Sequence, residues 1–365
     1  MIELEKAKEL MALHLLSLER ETLPLEGAIN RVLAEDVYAD RDVPPFPRAT
    51  MDGYACRRED LPGPLQVLET VEAGILPTQI VDVGQCSKIM TGAMVPEGAD
   101  CVIMKEYIEE AENNSIRFIA AETETNIDPR GQDLKQGDRL LQKGTLITPG
   151  HLGIMASAGK TRIFVSKKLR VGILATGSEL IEAEERPEGA QIRNSNSRQL
   201  AAQVQRAGHL SEYMGIVEDS ADSIADRISG ALEELDLLLL TGGASVGELD
   251  LVPGVLKTLG FHLVFDRVAI QPGKPVSFAH RKGKCCFGLS GNPVSSFVQF
   301  EMLVRPYLEA CTGMFPVNRK VHIRMESGFQ RKKADRLFFL PVYFTENGTC
   351  EPVTYHGSGH LHALD

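Results

Sequence analysis

The sequence predicts a multidomain α/β protein built on a central, doubly wound, mostly parallel sheet, with a β-rich inserted domain, an extended linking domain and a small C-terminal β-barrel-like domain. Three observations carry this. Short, wholly apolar runs alternate with helix-forming stretches after residue 166, the pattern of βαβ units whose sheet is covered on both faces. Residues 46–140 instead alternate apolar with polar and are dense in turn residues. The chain has 365 residues, 43% hydrophobic and 24% charged, which is enough for several separate cores.

Taken in order, the opening MIELEKAKELMALHLLSLERETL reads as an amphipathic helix, with apolar Leu10, Leu13, Leu15, Leu16 and Leu18 among acids and bases. Charges throughout argue against a signal peptide. A strand-like Arg31–Tyr38 and the proline-rich Val43–Pro47 follow. Strands are expected at Leu65–Glu69, Cys101–Tyr107 and Ser115–Ala120, and helix-forming pattern resumes from Gly144 to Gly159. Leu169–Ala175, Leu235–Leu240 and Lys284–Leu289 read as buried strands; Ser197–Ala207, Val255–Leu259 and Val294–Leu308 read as helices. Lys320–Met325 and Arg336–Tyr343 alternate as strands. The expected domains are 1–45 with 141–165 (linking), 46–140 (inserted), 166–312 (central) and 313–365 (C-terminal).

No run approaches the roughly 18 apolar residues a membrane span needs. Seven cysteines without paired Cys/His spacing read as buried thiols in a reducing cytoplasm. A net charge of −11 argues against nucleic acid and anionic membranes as partners, though not against a small anionic ligand.

The segments that carry chemistry fall at strand ends, where ligands of open α/β sheets bind. Thr241-Gly242-Gly243-Ala244-Ser245-Val246-Gly247-Glu248-Leu249-Asp250 brings backbone N–H groups, a hydroxyl and a carboxylate together; it reads equally as an anion cradle with a metal-binding Asp250 and as a plain glycine-rich loop. Leu289-Ser290-Gly291-Asn292-Pro293-Val294-Ser295-Ser296 repeats the arrangement at another strand end. Gln271-Pro272-Gly273-Lys274-Pro275 presents a cation between prolines. Glu179 in Ala175-Thr176-Gly177-Ser178-Glu179 is a metal ligand or base, or a cap partner. Asp219 and the run Asn194-Ser195-Asn196 read as helix caps. Asp52-Gly53 and Thr91-Gly92 are turn signals.

TMDGYA, KIMTGAMVPEGAD, LATGSEL, TGGASVGELD, QPGKP and SGNPVSS, in this order and spacing over residues 1–315, resemble the molybdopterin molybdenumtransferases, the MoeA family that includes the E domain of gephyrin. The resemblance implies an elongated homodimer whose central domain has the molybdopterin-binding fold. It implies a transferase that hydrolyses the phosphoanhydride of molybdopterin-AMP with Mg²⁺, releases AMP and inserts molybdate. By motif match it assigns Asp219 and Asp250 to the metal. Lys274, Ser245 and Ser295 hold molybdate, joined by Arg331 and Ser358. Gly242, Gly243, Gly291, Asn292 and Pro293 bind substrate. Asp52, Thr91 and Glu179 are tied to activity, the first two reaching a cleft of the dimer partner. A molybdopterin-activating enzyme and molybdoenzymes or carriers are the implied transient partners. The alternatives are a non-catalytic molybdopterin-binding scaffold and a molybdopterin adenylyltransferase. Gln271 stands where the family often has Lys, so Gln271→Lys is expected to tighten oxyanion binding. Gln132 replaces a common acid, and the chain stops short of the family's usual end, so an incomplete C-terminal domain is expected.

Overall fold

The structure is a computed structural model that describes residues 1–242, 251–315, 321–331 and 334–364. The chain forms two units: residues 1–35, 143–149 and 162–365, and residues 36–142 with 150–161.

The first unit is organised by a six-stranded mixed sheet: β1 (Arg170–Thr176), β2 (Leu210–Val217), β3 (Leu237–Thr241), β4 (His262–Arg267), β5 (Pro275–Arg281) and β6 (Lys284–Leu289), in the spatial order β2-β1-β3-β6-β5-β4. The strands β2, β1, β3 and β6 run parallel, while β5 and β4 are added antiparallel. β1, β3 and β6 are the three runs the sequence marks as buried, and they lie side by side because only a strand covered on both faces can be apolar throughout. The two faces carry separate cores. One packs Val171, Ile173, Leu237, Leu239 and Phe287 against Leu200, Leu303 and Tyr307; the other packs Leu174, Leu238 and Leu240 against Ile224, Ile228 and Val252.

Several local expectations are corrected. The opening helix stops at Ala12 and buries Leu4, Ala7 and Met11, the i, i+3, i+7 stripe. Leu13 is 74% exposed, and the residues beyond it form a strand, Arg20–Pro24, paired with Arg162–Ser166. Arg31–Tyr38 yields only the short strand Val37–Tyr38. The helix Ala221–Ala231 is capped by Ser220, whose hydroxyl accepts the Ser223 N–H, and not by Asp219. The last central helix is a run from Pro293 to Cys311 with a π-helical turn at Phe300–Val304. Near the C-terminus Met325 makes a single bridge to Cys350, and Arg336–Tyr343 splits into Leu337–Phe338 and Val342–Phe344.

The second unit holds its own six-stranded sheet, in the order Cys101–Met104, Gly53–Cys56, Gln85–Ile89, Leu65–Val71, Ser115–Phe118, Ile108–Ala111. Leu65, Cys86, Ile103 and Ile116 pack on one face; Ala55, Val71, Ile89 and Val102 pack on the other. Cys56, Cys86, Cys101, Cys285, Cys286, Cys311 and Cys350 are all free and buried, and burial pushes the Cys285 thiol up to about 11. Among the described residues no helix is long and apolar enough to cross a membrane.

Candidate active site

The carboxyl ends of β1, β3 and β6 meet at a cavity of about 360 Å³ within the first unit. β1 contributes Thr176 and, just beyond it, Glu179; β3 contributes Thr241 and Gly242; the turn after β6 contributes Gly291, Asn292 and Pro293. Asn194 and Asn196 form another wall, and Gly359 and Leu361 come from the C-terminal segment. Glycine is required at 242: its φ is +94°, and a Cβ there would sit 2.0 Å from the Thr176 carbonyl oxygen.

The two asparagines differ in what they leave open. Asn194 spends its amide on the local turn, accepting the Ser197 N–H and donating to Ser197 Oγ and to the Tyr213 hydroxyl. Asn196 instead ties strand ends together. Its Nδ2 donates to Thr241 Oγ1 at 2.9 Å and to the Gly291 carbonyl at 2.8 Å. Its Oδ1 and the Thr176 hydroxyl are buried without a hydrogen-bond partner among the described residues. The Tyr213 hydroxyl donates to Glu182, and burial with that bond raises its pKa to about 12.

A second buried amide sets the neighbouring loops. Gln299, fully buried, accepts the Ser290 N–H through Oε1 at 2.8 Å and donates Nε2 to the Gly273 and Pro275 carbonyls at 2.9 and 2.6 Å. It thereby couples the turn after β6 to the loop that carries Lys274. Lys274 is half-buried, and its side chain has no partner among the described residues. Ser295 is buried in the first turn of the helix that starts at Pro293, and Val294 N–H donates to the Ser358 carbonyl, which fastens the C-terminal segment there.

The structure therefore gathers Glu179, Gly242, Gly291, Asn292 and Pro293 around one cavity. Asp219 stands exposed in the loop after β2. Gly243, Ser245 and Asp250 lie outside the described residues. Arg331 is half-buried, stacked 4.7 Å over the Phe338 ring, and donates to the Arg336 carbonyl and to Gln271 Oε1 at 3.1 Å. Gln271 thus accepts from the Arg331 guanidinium, a contact that a lysine at 271 would not provide. Asp52 and Thr91 belong to the second unit. Asp52 Oδ1 accepts from the Thr91 N–H and hydroxyl, and Oδ2 pairs with Lys105 at 3.2 Å. The Thr91 backbone bond, then its hydroxyl and Lys105, hold the carboxyl down to about 2.

Thr176, Asn196 and Gln299 were not legible as site residues. Gln299 had one weak signal, an amide inside an otherwise apolar helical stretch.

Residues 2–159 match the family model "MoeA N-terminal region (domain I and II)", and residues 172–310 match "Probable molybdopterin binding domain". A molybdopterin molybdenumtransferase of Bacillus subtilis is 37% identical over 302 residues, covering 80% of this chain and 70% of the relative. One of Staphylococcus epidermidis is 35% identical over 317 residues, covering 85% and 75%. The crystal structure of a molybdopterin biosynthesis MoeA protein from Pyrococcus horikoshii aligns with a TM-score of 0.85 at 30% identity, over 100% of this chain and 93% of that one. A strand-end cavity walled by glycine turns, on a chain matched in both its parts, belongs to the MoeA family of molybdopterin molybdenumtransferases, transferases of molybdenum cofactor biosynthesis.

Proposed function

We propose that the protein inserts molybdate into molybdopterin-AMP, cleaving the phosphoanhydride and releasing AMP, at the cavity between the ends of β1, β3 and β6. The observation that carries this reading is the convergence of two glycine turns, at Gly242 and Gly291, on one cavity at the strand ends. Backbone N–H groups at such turns suit phosphate oxygens. Glu179, on the cavity wall, can accept the proton of a water attacking phosphorus as the AMP oxygen leaves. Lys274, Ser245 and Ser295 are the proposed molybdate contacts, with Arg331 and Ser358 as further donors. Thr91 orients Asp52, whose carboxylate stays ionised at any physiological pH.

The resemblance assigns Mg²⁺ to Asp219 and Asp250. Among the described residues no three His, Cys, Asp or Glu side chains converge as metal ligands. Asp219 is exposed, and the residues described do not by themselves form a magnesium site, so no step is routed through the metal. We read the protein as a cytoplasmic homodimer that takes substrate from a pterin-activating enzyme and passes product to carriers or molybdoenzymes, with no nucleic-acid or membrane partner.

The test is AMP release from molybdopterin-AMP with molybdate present. Wild type should turn over, and Asp250→Asn should lose at least tenfold, a loss of about 1.4 kcal/mol in transition-state stabilisation, while still binding the pterin. Full turnover by Asp250→Asn removes that residue from the mechanism; consumption of ATP with pterin by wild type would make the protein an adenylyltransferase instead.

A further inference from the structure

We propose that Gln299 is a positioning residue for oxyanion binding: it fixes the backbone around Lys274 relative to the turn at 290–293, and so sets where the ammonium can meet molybdate. This rests on the reading that Lys274 contacts molybdate.

Gln299 ends the helix Pro293–Gln299 and has no exposed surface. Its amide joins two loops that are distant in sequence. Oε1 accepts the Ser290 N–H at 2.8 Å, and Nε2 donates to the carbonyls of Gly273 at 2.9 Å and Pro275 at 2.6 Å. The orientation of the amide follows from its partners, since a backbone N–H can only donate and a carbonyl can only accept. One acceptor and two donors are therefore used together. Glutamine is the side chain of this length that offers both; an ionised glutamate has no donor, and neither has methionine.

The two carbonyls flank Lys274, and the Lys274 carbonyl itself accepts the Val268 N–H at 3.1 Å. Three consecutive carbonyls are thus held in place, from Gly273 to Pro275. The loop also packs on the glutamine: a Cβ at Gly273, where φ is +101°, would come 2.9 Å from Gln299 Cγ. The Lys274 side chain, by contrast, has no partner among the described residues. A cation with a clamped backbone and a free head is oriented before any ligand arrives.

On the other side, the Ser290 hydroxyl accepts the Asn292 N–H at 3.2 Å and closes the turn that brings Gly291, Asn292 and Pro293 to the cavity. Ser295 lies in the first turn of the helix that Gln299 ends. One buried amide therefore holds the lysine loop, Ser295 and the cavity turn in a common frame, although Gln299 is not itself on the cavity wall. Misplacing a contacting group by about 1 Å can cost on the order of a hundredfold, so loss of this brace should be read in oxyanion binding.

The experiment follows AMP release from molybdopterin-AMP at varied molybdate, for wild type, Gln299→Met, Lys274→Ala and the double variant. Gln299→Met should raise the molybdate KM by about fivefold or more and leave kcat within about twofold. In the Lys274→Ala background the same change should move KM by less than about twofold, because the group it positions is already gone. A merely structural role would reduce the folded fraction, lowering apparent kcat at unchanged KM, and that result overturns the proposal. A KM rise of equal size in both backgrounds overturns it too. Should Gln299→Met fail to fold, Gln299→Glu is held to the same criteria: it keeps an acceptor for the Ser290 N–H and, ionised, lacks the donors for Gly273 and Pro275. A wild-type molybdate KM in Lys274→Ala instead overturns the assignment of Lys274 to molybdate, and the proposal with it.

Discussion

The turn at Asp52 and the cavity at the ends of β1, β3 and β6 share a construction but end in opposite states. Each is built around a glycine with no room for a side chain: Gly53 would place a Cβ 1.9 Å from the Ile103 carbonyl oxygen, and Gly242 one 2.0 Å from that of Thr176. At Asp52 both carboxylate oxygens find partners, Oδ1 from Thr91 and Oδ2 from Lys105. Near the cavity, Asn196 and Thr176 each keep a buried oxygen without a partner among the described residues. A turn that satisfies itself can present an ionised carboxylate at once. The cavity, by contrast, leaves open space at the strand ends that a ligand can fill. The first arrangement suits a group used in one charge state, the second a group used for recognition.

The largest effects should come from filling the two glycine positions. Gly242→Ala meets both a positive φ and a backbone clash, so a loss of about 3–5 kcal/mol is expected. Gly53→Ala meets the clash alone, and about 2–3 kcal/mol is expected. Thermal melts read the magnitudes, and hydrogen exchange reads the location. Gly242→Ala should expose amides of β1, β3 and β6, and Gly53→Ala those of Cys101–Met104 and Gln85–Ile89. Equal exposure of both sheets in either variant would mean that the two units do not unfold separately.

Acid should separate the regions next. His209 is buried, and its Nδ1 accepts the Leu169 N–H. Burial first, then Lys168 and Arg31, push its pKa down to about 4. An unfolded histidine titrates near 6.5, so between that pH and about 4 the unfolded chain binds a proton that the folded chain refuses. The contribution is complete above pH 6.5, declines as pH falls, and is gone below 4, a loss on the order of 3 kcal/mol. Asp52 has a depressed carboxyl pKa, so its contribution is complete above an ordinary carboxylate pKa near 4 and lost as pH falls to about 2. Acidification from pH 7 to 4.5 should therefore loosen the sheet of β1–β6 and spare the Asp52 turn. His209→Asn, whose Oδ1 can stand in for Nδ1, should flatten that decline; an unchanged pH profile would exclude His209 as its source.

What could be read from the chain followed the range of each interaction. β1, β3 and β6 were legible because burial on both faces leaves an uninterrupted apolar run. β2 and β4, at the sheet's edges, mix exposed with buried positions and were not seen as strands. The opening helix ends before its leucine pattern does, because only Leu4, Ala7 and Met11 share its buried face. Turn glycines were legible because φ and close approach are local demands. Asn196 was not: its partners Thr241 and Gly291 lie 45 and 95 residues away, and in isolation an asparagine before a helix is a cap. Gln299 is the same case, with its role visible only once Gly273 and Ser290 are brought to it.

The smallest effect concerns Gln271, which neighbours Lys274 in the same loop. A second cation beside Lys274 would ordinarily strengthen a partly buried oxyanion contact by about 1–3 kcal/mol, and 1.4 kcal/mol is tenfold in Kd. Gln271, however, resembles Asp52 more than it resembles the cavity, because its Oε1 is already used by the Arg331 guanidinium at 3.1 Å. Gln271→Lys removes that acceptor and sets an ammonium against a guanidinium already stacked on Phe338. Like charges at roughly 4 Å near a protein surface repel by up to about 4 kcal/mol before salt screening, enough to cancel the gain. Molybdate affinity should therefore change by less than about threefold, the free-energy equivalent of under 0.7 kcal/mol. Titration calorimetry at low salt decides it. A tenfold gain would show that Arg331 does not depend on Gln271 and that the site was short of a cation; a small change would mean that orienting Arg331 is worth as much here as a second cation.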